Sequence, residues 1–166
     1  MKLKLGILLL FVITISFSQE STLINFELQD QFEKIYTNND YRGSIFIVIG
    51  SNSSGRKYNP IWSAAIHNEL KDEPVFEKIK MNGIANLSAV PFFLKGFIRN
   101  KFPKDPEKWI LMDWKGKFSK AYHMKPGVSN ILIFNVGGQL VFQTTATDLD
   151  AELLAVLVEK IKELDR

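Results

Sequence analysis

Five consecutive residues, Ile45 to Ile49 (IFIVI), carry no polar side chain, and four of them are β-branched. Successive side chains of a strand point to opposite faces, so this run fits only a central strand covered on both sides. That requirement calls for apolar layers above and below a sheet. The residues that follow offer the first layer. Beyond the small-residue stretch GSNSSGRKYN, Pro60 suits the first turn of a helix, and Ile61, Trp62, Ala65, Ile66 and Leu70 recur at helical spacing.

The remaining segments extend the pattern. Leu23 to Leu28 (LINFEL) alternates as a half-buried strand does, and a turn at Asp30-Gln31-Phe32 returns it through Glu33 to Tyr36. Val75 to Ala85 alternates as a second central strand. Val90 to Asn100 carries Phe93, Leu94, Phe97 and Ile98 as a helical stripe, and Trp109 to Met112 is a short buried strand. Asn130 to Phe134 and Leu140 to Gln143 flank Asn135-Val136-Gly137-Gly138, a hairpin signal. Thr147 or Asp148 caps a last helix whose apolar face holds Leu149, Leu153, Val156, Leu157, Ile161 and Leu164, alongside Lys160. Asp148, Asp150 and Glu152 stand at its start, and Lys160, Lys162 and Arg166 at its end, as the helix dipole favours. The order is β-hairpin, β, α, β, α, β, β-hairpin, α, which predicts an α/β fold with a mixed sheet between helices.

The first eighteen residues read differently. Lys2 and Lys4 precede an uncharged apolar run, Leu5 to Phe17, and Ser16 and Ser18 stand at −3 and −1 of a cleavage site before Gln19. This is the form of a signal peptide, too short for a span of ~20 residues. No cysteine follows it, which excludes a lipid-attached lipoprotein. Residues 19–166, free of repeats and of Gly/Ser linkers, form one domain, and the expected location is periplasmic or secreted. With Lys2 and Lys4 gone, 21 basic residues against 18 acidic become 19 against 18, a net charge of +1. The basic pI then carries no case for nucleic acid.

The chain has no cysteine. That removes thiol catalysis, Cys-ligated zinc and disulfide staples together, so the core holds the domain unaided. Gly50 to Lys57 nearly spells a P-loop, but Arg56 and Lys57 stand where Lys and a Mg²⁺-binding hydroxyl are needed. The two histidines, His67 and His123, have no neighbour at metal spacing, so neither a metal nor a cofactor is expected. Ser129, His123 and Asp113 assemble a triad only on paper, with no nucleophile elbow. Asp148, Asp150 and Glu152 serve the helix terminus rather than calcium. Of the aromatic group Phe92, Phe93, Phe97, Phe102, Trp109 and Trp114, most are expected in the core. Core is the expectation for each taken singly, with Phe102 and Trp114, beside charged and turn residues, the candidates for an exposed contact patch.

The stretches FELQDQF…DYRGSIFIVIG and GVSNILIFNVGGQLVF resemble the entry hairpin, first central strand and closing hairpin of the thioredoxin and peroxiredoxin superfamily. Within it, the Cys-free loop SNSSGRKYN, the turn Asp113-Trp114-Lys115-Gly116 and a serine before the last hairpin are most similar to the YtfJ-type exported bacterial proteins. The resemblance covers Leu23 to Leu164 and implies a thioredoxin-like fold and an exported location. It puts the two CxxC positions at Asn52 and Gly55, with Ser53 and Ser54 between them, and the cis-proline position at Ser129. It also implies that residue 52 heads the helix and residue 55 lies one turn inside it, so that a cysteine pair placed there would bridge. No thiolate can form at either position, and disulfide exchange and peroxide reduction are excluded.

The resemblance further implies a groove between Asn52–Gly55 and Val128–Ser129 that holds a protein or peptide partner, in a binding or accessory module of the envelope. The alternative is a non-thiol enzyme or anion-binding protein, with Arg56 and Lys57 holding a small anion at the helix N-terminus. No general base for catalysis is visible. N-terminal sequencing of the exported protein should begin at Gln19, and a soluble form that retains Met1 would overturn the location.

Overall fold

The computed structural model describes residues 22–106 and 108–165. Seven strands form one sheet in the order β2-β1-β5-β4-β3-β6-β7. These are β1 (Glu27–Gln29), β2 (Ile35–Thr37), β3 (Ile45–Ser51), β4 (Ile79–Asn86), β5 (Ile110–Asp113), β6 (Ser129–Phe134) and β7 (Leu140–Ala146). Four α-helices accompany them: α1 (Asn59–Leu70), α2 (Lys95–Arg99), α3 (Lys117–Ala121) and α4 (Ala151–Glu163). β3, β4 and β5 run parallel, while β6 pairs antiparallel with β3 and with β7. The expected mixed sheet between helices is the one observed. The expected signal peptide lies outside the described residues, among which no helix is long and apolar enough to cross a membrane.

All seven residues of β3 are buried, as IFIVI required. Alternation divides them between two cores. Ile45, Ile47 and Ile49 meet Trp62, Ile66 and Leu70 of α1, Leu157 and Ile161 of α4, and Ile131 and Ile133 of β6. Phe46 and Val48 face Phe26, Tyr41, Phe118, Tyr122, Leu132 and Phe134 on the other side. Two buried polar groups tie these layers together. The Trp62 indole Nε1 donates to the Thr147 carbonyl at 2.9 Å, and the Tyr41 hydroxyl donates to Asn82 Oδ1 at 2.9 Å. Burial pushes the Tyr41 hydroxyl pKa upward, so it stays a neutral donor.

Four sequence expectations are corrected. Val75 to Lys78 is a 3-10 turn opened by Pro74, and β4 starts only at Ile79; proline's fixed φ and missing N–H suit the first position of a helical turn rather than a ladder. The helix expected over Val90 to Asn100 shrinks to one 3-10 turn, Phe92–Leu94, and the five residues of α2. Phe92, Phe93 and Phe97, expected in the core, are 81%, 71% and 60% exposed, whereas Phe102 and Trp114 are half-buried. The cap of α4 is Asp150, whose carboxylate accepts from the Leu153 N–H at 2.8 Å; Leu149 and Val156 are exposed. The short α3 went unread in the sequence, although Phe118 and Tyr122 sit one turn apart and both are buried.

Trp62 joins α1 to the β7–α4 connection through a single hydrogen bond within the core. Trp62→Phe keeps most of the apolar volume but strands the Thr147 carbonyl, at a cost of about 1–3 kcal/mol. Denaturant melts should show the shift, and an unchanged midpoint would mean that water satisfies that carbonyl.

Candidate functional site: the loop before α1 and the cleft beside it

The loop that follows β3 is folded as two successive tight turns. Gly55 N–H donates to the Asn52 carbonyl at 3.2 Å, and Tyr58 N–H donates to the Gly55 carbonyl at 3.1 Å. α1 begins only at Asn59, so residues 52 and 55 both lie ahead of the helix. The expectation that residue 55 sits one turn inside it is corrected.

Three asparagines stitch this loop to the segment that enters β6. Asn52 Oδ1 accepts from Ser54 Oγ at 3.1 Å, from Gly55 N–H at 3.3 Å and from Gly127 N–H at 3.0 Å. Asn59 bridges the two chain segments: its Nδ2 donates to Ser51 Oγ at 2.9 Å, and its Oδ1 accepts from Ser129 Oγ at 2.8 Å. Asn130, fully buried, donates to the Gly50 carbonyl at 3.2 Å and to the Lys125 carbonyl at 2.9 Å, and its Oδ1 accepts from Lys125 N–H at 2.7 Å.

The lips of the expected groove are in contact. A Cβ on Gly55 would stand 2.3 Å from the Val128 carbonyl oxygen and 2.8 Å from the Val128 nitrogen. Glycine is required there by close backbone approach rather than by an unusual φ. The bridging cysteine pair implied at 52 and 55 is therefore corrected, because residue 55 has no room for any side chain. Ser129, to which the resemblance assigned the cis-proline position, is buried with its hydroxyl committed to Asn59. Ser53, Ser54, Arg56 and Lys57 are exposed, and Lys57 Nζ lies 4.8 Å over the Tyr58 ring.

The chemistry open to this arrangement is narrow. Ser51 and Ser129 are hydrogen-bonded to an amide, which takes no proton at neutral pH, so neither hydroxyl is activated. The paper triad does not assemble: Asp113 Oδ2 accepts from Ser119 N–H and Oγ, both at 2.9 Å, while Ser129 is held by Asn59. His67 stands edge-on to Phe76 with ring centroids 5.2 Å apart. Among the described residues, no cluster of three His, Asp or Glu side chains could hold a metal.

On its other side the loop borders an open cleft of about 1130 Å³. Asn52, Ser53 and Arg56 contribute from the loop, and Ala64 and His67 from α1. The floor is the α1-facing side of β4, where Met81, Gly83 and Ala85 follow in line, with Ile110 of β5 beside them. Ile98 and Phe102 form a lip. The floor was missed in the sequence because a helix was expected to cover it. The adjacent small residues Gly83 and Ala85 were the signal present.

No protein-family model matches the chain, and no curated protein matches it significantly. Solved structures share the fold. The copper-bound yeast Sco1 superposes with a TM-score of 0.62 at 15% identity, over 87% of this chain and 95% of its own. The pneumococcal exposed lipoprotein thioredoxin Etrx1 of Streptococcus pneumoniae gives 0.61 at 16% identity, over 84% and 99%. A putative thiol:disulfide interchange protein DsbE of Chlorobium tepidum gives 0.60 at 14%, over 90% and 99%. The fold is therefore thioredoxin-like, carried by a chain without cysteine.

Gly55→Ala tests the closed seam. The added methyl must push the loop off Val128, at a cost of about 1–3 kcal/mol, the usual range for overpacking. A thermal or urea melt measures it, and a neutral substitution would mean that the lips stand apart in solution.

Proposed function

We propose that this protein is a redox-inactive, exported binding module of the cell envelope that holds a ligand at the loop Asn52–Lys57. The observation that carries the reading is the loop itself. At the place the resemblance gives a redox motif it has no thiolate, the Asn52 side-chain oxygen is spent on internal hydrogen bonds, and its outer side borders an open apolar cleft. A closed polar seam with neither a thiolate nor an activated hydroxyl favours binding over turnover.

Export is supported by the Lys2/Lys4 and Leu5–Phe17 leader, and by the likeness to an exposed lipoprotein. Kinship with the YtfJ-type proteins belongs to the same reading and rests on SNSSGRKYN, Asp113–Gly116 and Ser129. The resemblance implied a peptide between Asn52–Gly55 and Val128–Ser129. The contact of Gly55 with Val128 favours instead the cleft side of the loop, where Asn52, Ser53 and Arg56 meet the ligand. Ser54, Lys57, Val128 and Ser129 then support the loop's shape or its outer surface.

Protein purified gently from its own envelope should carry a non-covalent adduct in native mass spectra. The adduct should be lost in Ala64→Trp, which fills the cleft from the exposed side of α1. Insulin reduction and peroxide consumption should both stay at blank. An adduct-free protein that consumed either substrate would overturn the reading.

A further inference from the structure

We propose that the cleft takes a long-chain carboxylic acid, with its chain along the β4 floor and its carboxylate at Arg56; this rests on the reading of the cleft as the binding site. β4 lies between β3 and β5, both parallel to it, and strands in that position are ordinarily covered on both faces. Here Met81, Gly83 and Ala85 are only half-buried, because α2 is too short to lie over them. The result is an elongated apolar trough. Its volume of about 1130 Å³ is slightly above the ~300–1,000 Å³ range of small-molecule sites, room for a long ligand. A flexible apolar chain fills such a trough and removes its surface from water.

Charge selects the head group. Among the described residues, the cleft is bordered by Arg56, Lys101 and Lys108 and by no aspartate or glutamate. Two of these cations are engaged: Lys108 pairs with Asp105 at 3.1 Å, and Lys101 Nζ lies 4.8 Å over the Phe97 ring. Arg56 has neither a hydrogen bond nor an ion pair among the described residues. One free guanidinium matches one negative charge, and its fork fits the two oxygens of a carboxylate.

Register fixes the direction. Ser51 is opposite Ala85 and Ile45 is opposite Ile79, so the loop and Arg56 stand at the Ala85 end and the chain runs toward Ile79. Beside the lip, the segment from Ala89 to Lys104 holds four cations, no acid and the exposed Phe92, Phe93 and Phe97. Exposed aromatics interleaved with lysines make a surface that meets amphiphiles.

The experiment uses purified protein and an uncharged apolar dye, N-phenyl-1-naphthylamine, displaced by hexadecanoic acid or by hexadecan-1-ol. The dye should bind and should be lost in both Ala85→Phe and Ala64→Trp. The second variant lies on an exposed helical position and keeps the test valid if the first fails to fold. The acid should displace the dye at a concentration roughly tenfold below the alcohol, the scale of a charge-assisted hydrogen bond. Arg56→Gln should remove that difference while dye binding persists. Equal displacement by acid and alcohol, or an acid preference that survives Arg56→Gln, overturns the ligand class and leaves the cleft as a binding site. Absence of dye binding, or binding indifferent to Ala64→Trp, overturns the cleft reading itself.

Discussion

β3 is hydrogen-bonded to β4 along one edge and to β6 along the other, and neither of its faces reaches solvent. Each buried Ile, Val or Phe contributes roughly 1.5–3 kcal/mol relative to an exposed one, and the strand supplies five of them in succession. With no disulfide available, this two-sided burial orders the layers that pack on it. α1 and α4 meet on the isoleucine face, and α3 with the N-terminal hairpin meets on the phenylalanine face. The loop that leaves β3 inherits a rigid root, because Gly50 and Ser51 are the last residues of that strand.

The rigid root lets a thioredoxin-like fold hold the β3–α1 loop in place without thiols. Where a cysteine pair would need an open, polarised approach, this chain places amides that donate and accept at once. Asn52, Asn59 and Asn130 each close a hydrogen-bond bridge between the β3–α1 loop and the strand that returns beside it. The buried polar atoms of the seam satisfy one another, which is stable and chemically quiet. Gly55 lets the two backbones touch. The same features that retain the scaffold remove its reactivity.

What the seam closes, the neighbouring face leaves open. In a right-handed β4–α2–β5 crossover the connecting helix belongs on the α1 side of the sheet. That connection holds only a 3-10 turn preceded by Pro91 and the five residues of α2, and Phe92, Phe93 and Phe97 turn to solvent instead of covering Met81, Gly83 and Ala85. An uncovered central strand, rather than a catalytic group, is the feature of this protein that most needs a functional explanation. Its border of cations, with no acid among the described residues, gives that explanation a chemical direction.

Much of the architecture was legible in the residue pattern. IFIVI announced its own two-sided burial, Trp62, Ile66 and Leu70 announced α1, and Asn135–Gly138 announced the closing turn, because periodicity and turn chemistry are local. The absence of thiol chemistry followed from composition alone. The span of Val90 to Asn100 misled because an apolar stripe at helical spacing says nothing of whether a core is within reach. α3 escaped because five residues carry too little period to recognise. The seam could not be read at all: Asn59 and Ser129 are seventy positions apart, and Gly55 meets Val128 only because β3 and β6 are neighbours. The sequence by itself determined the central strands and the missing thiol. The tertiary structure decided which polar groups neutralise one another and which apolar face stays bare, since both depend on contacts between residues distant along the chain.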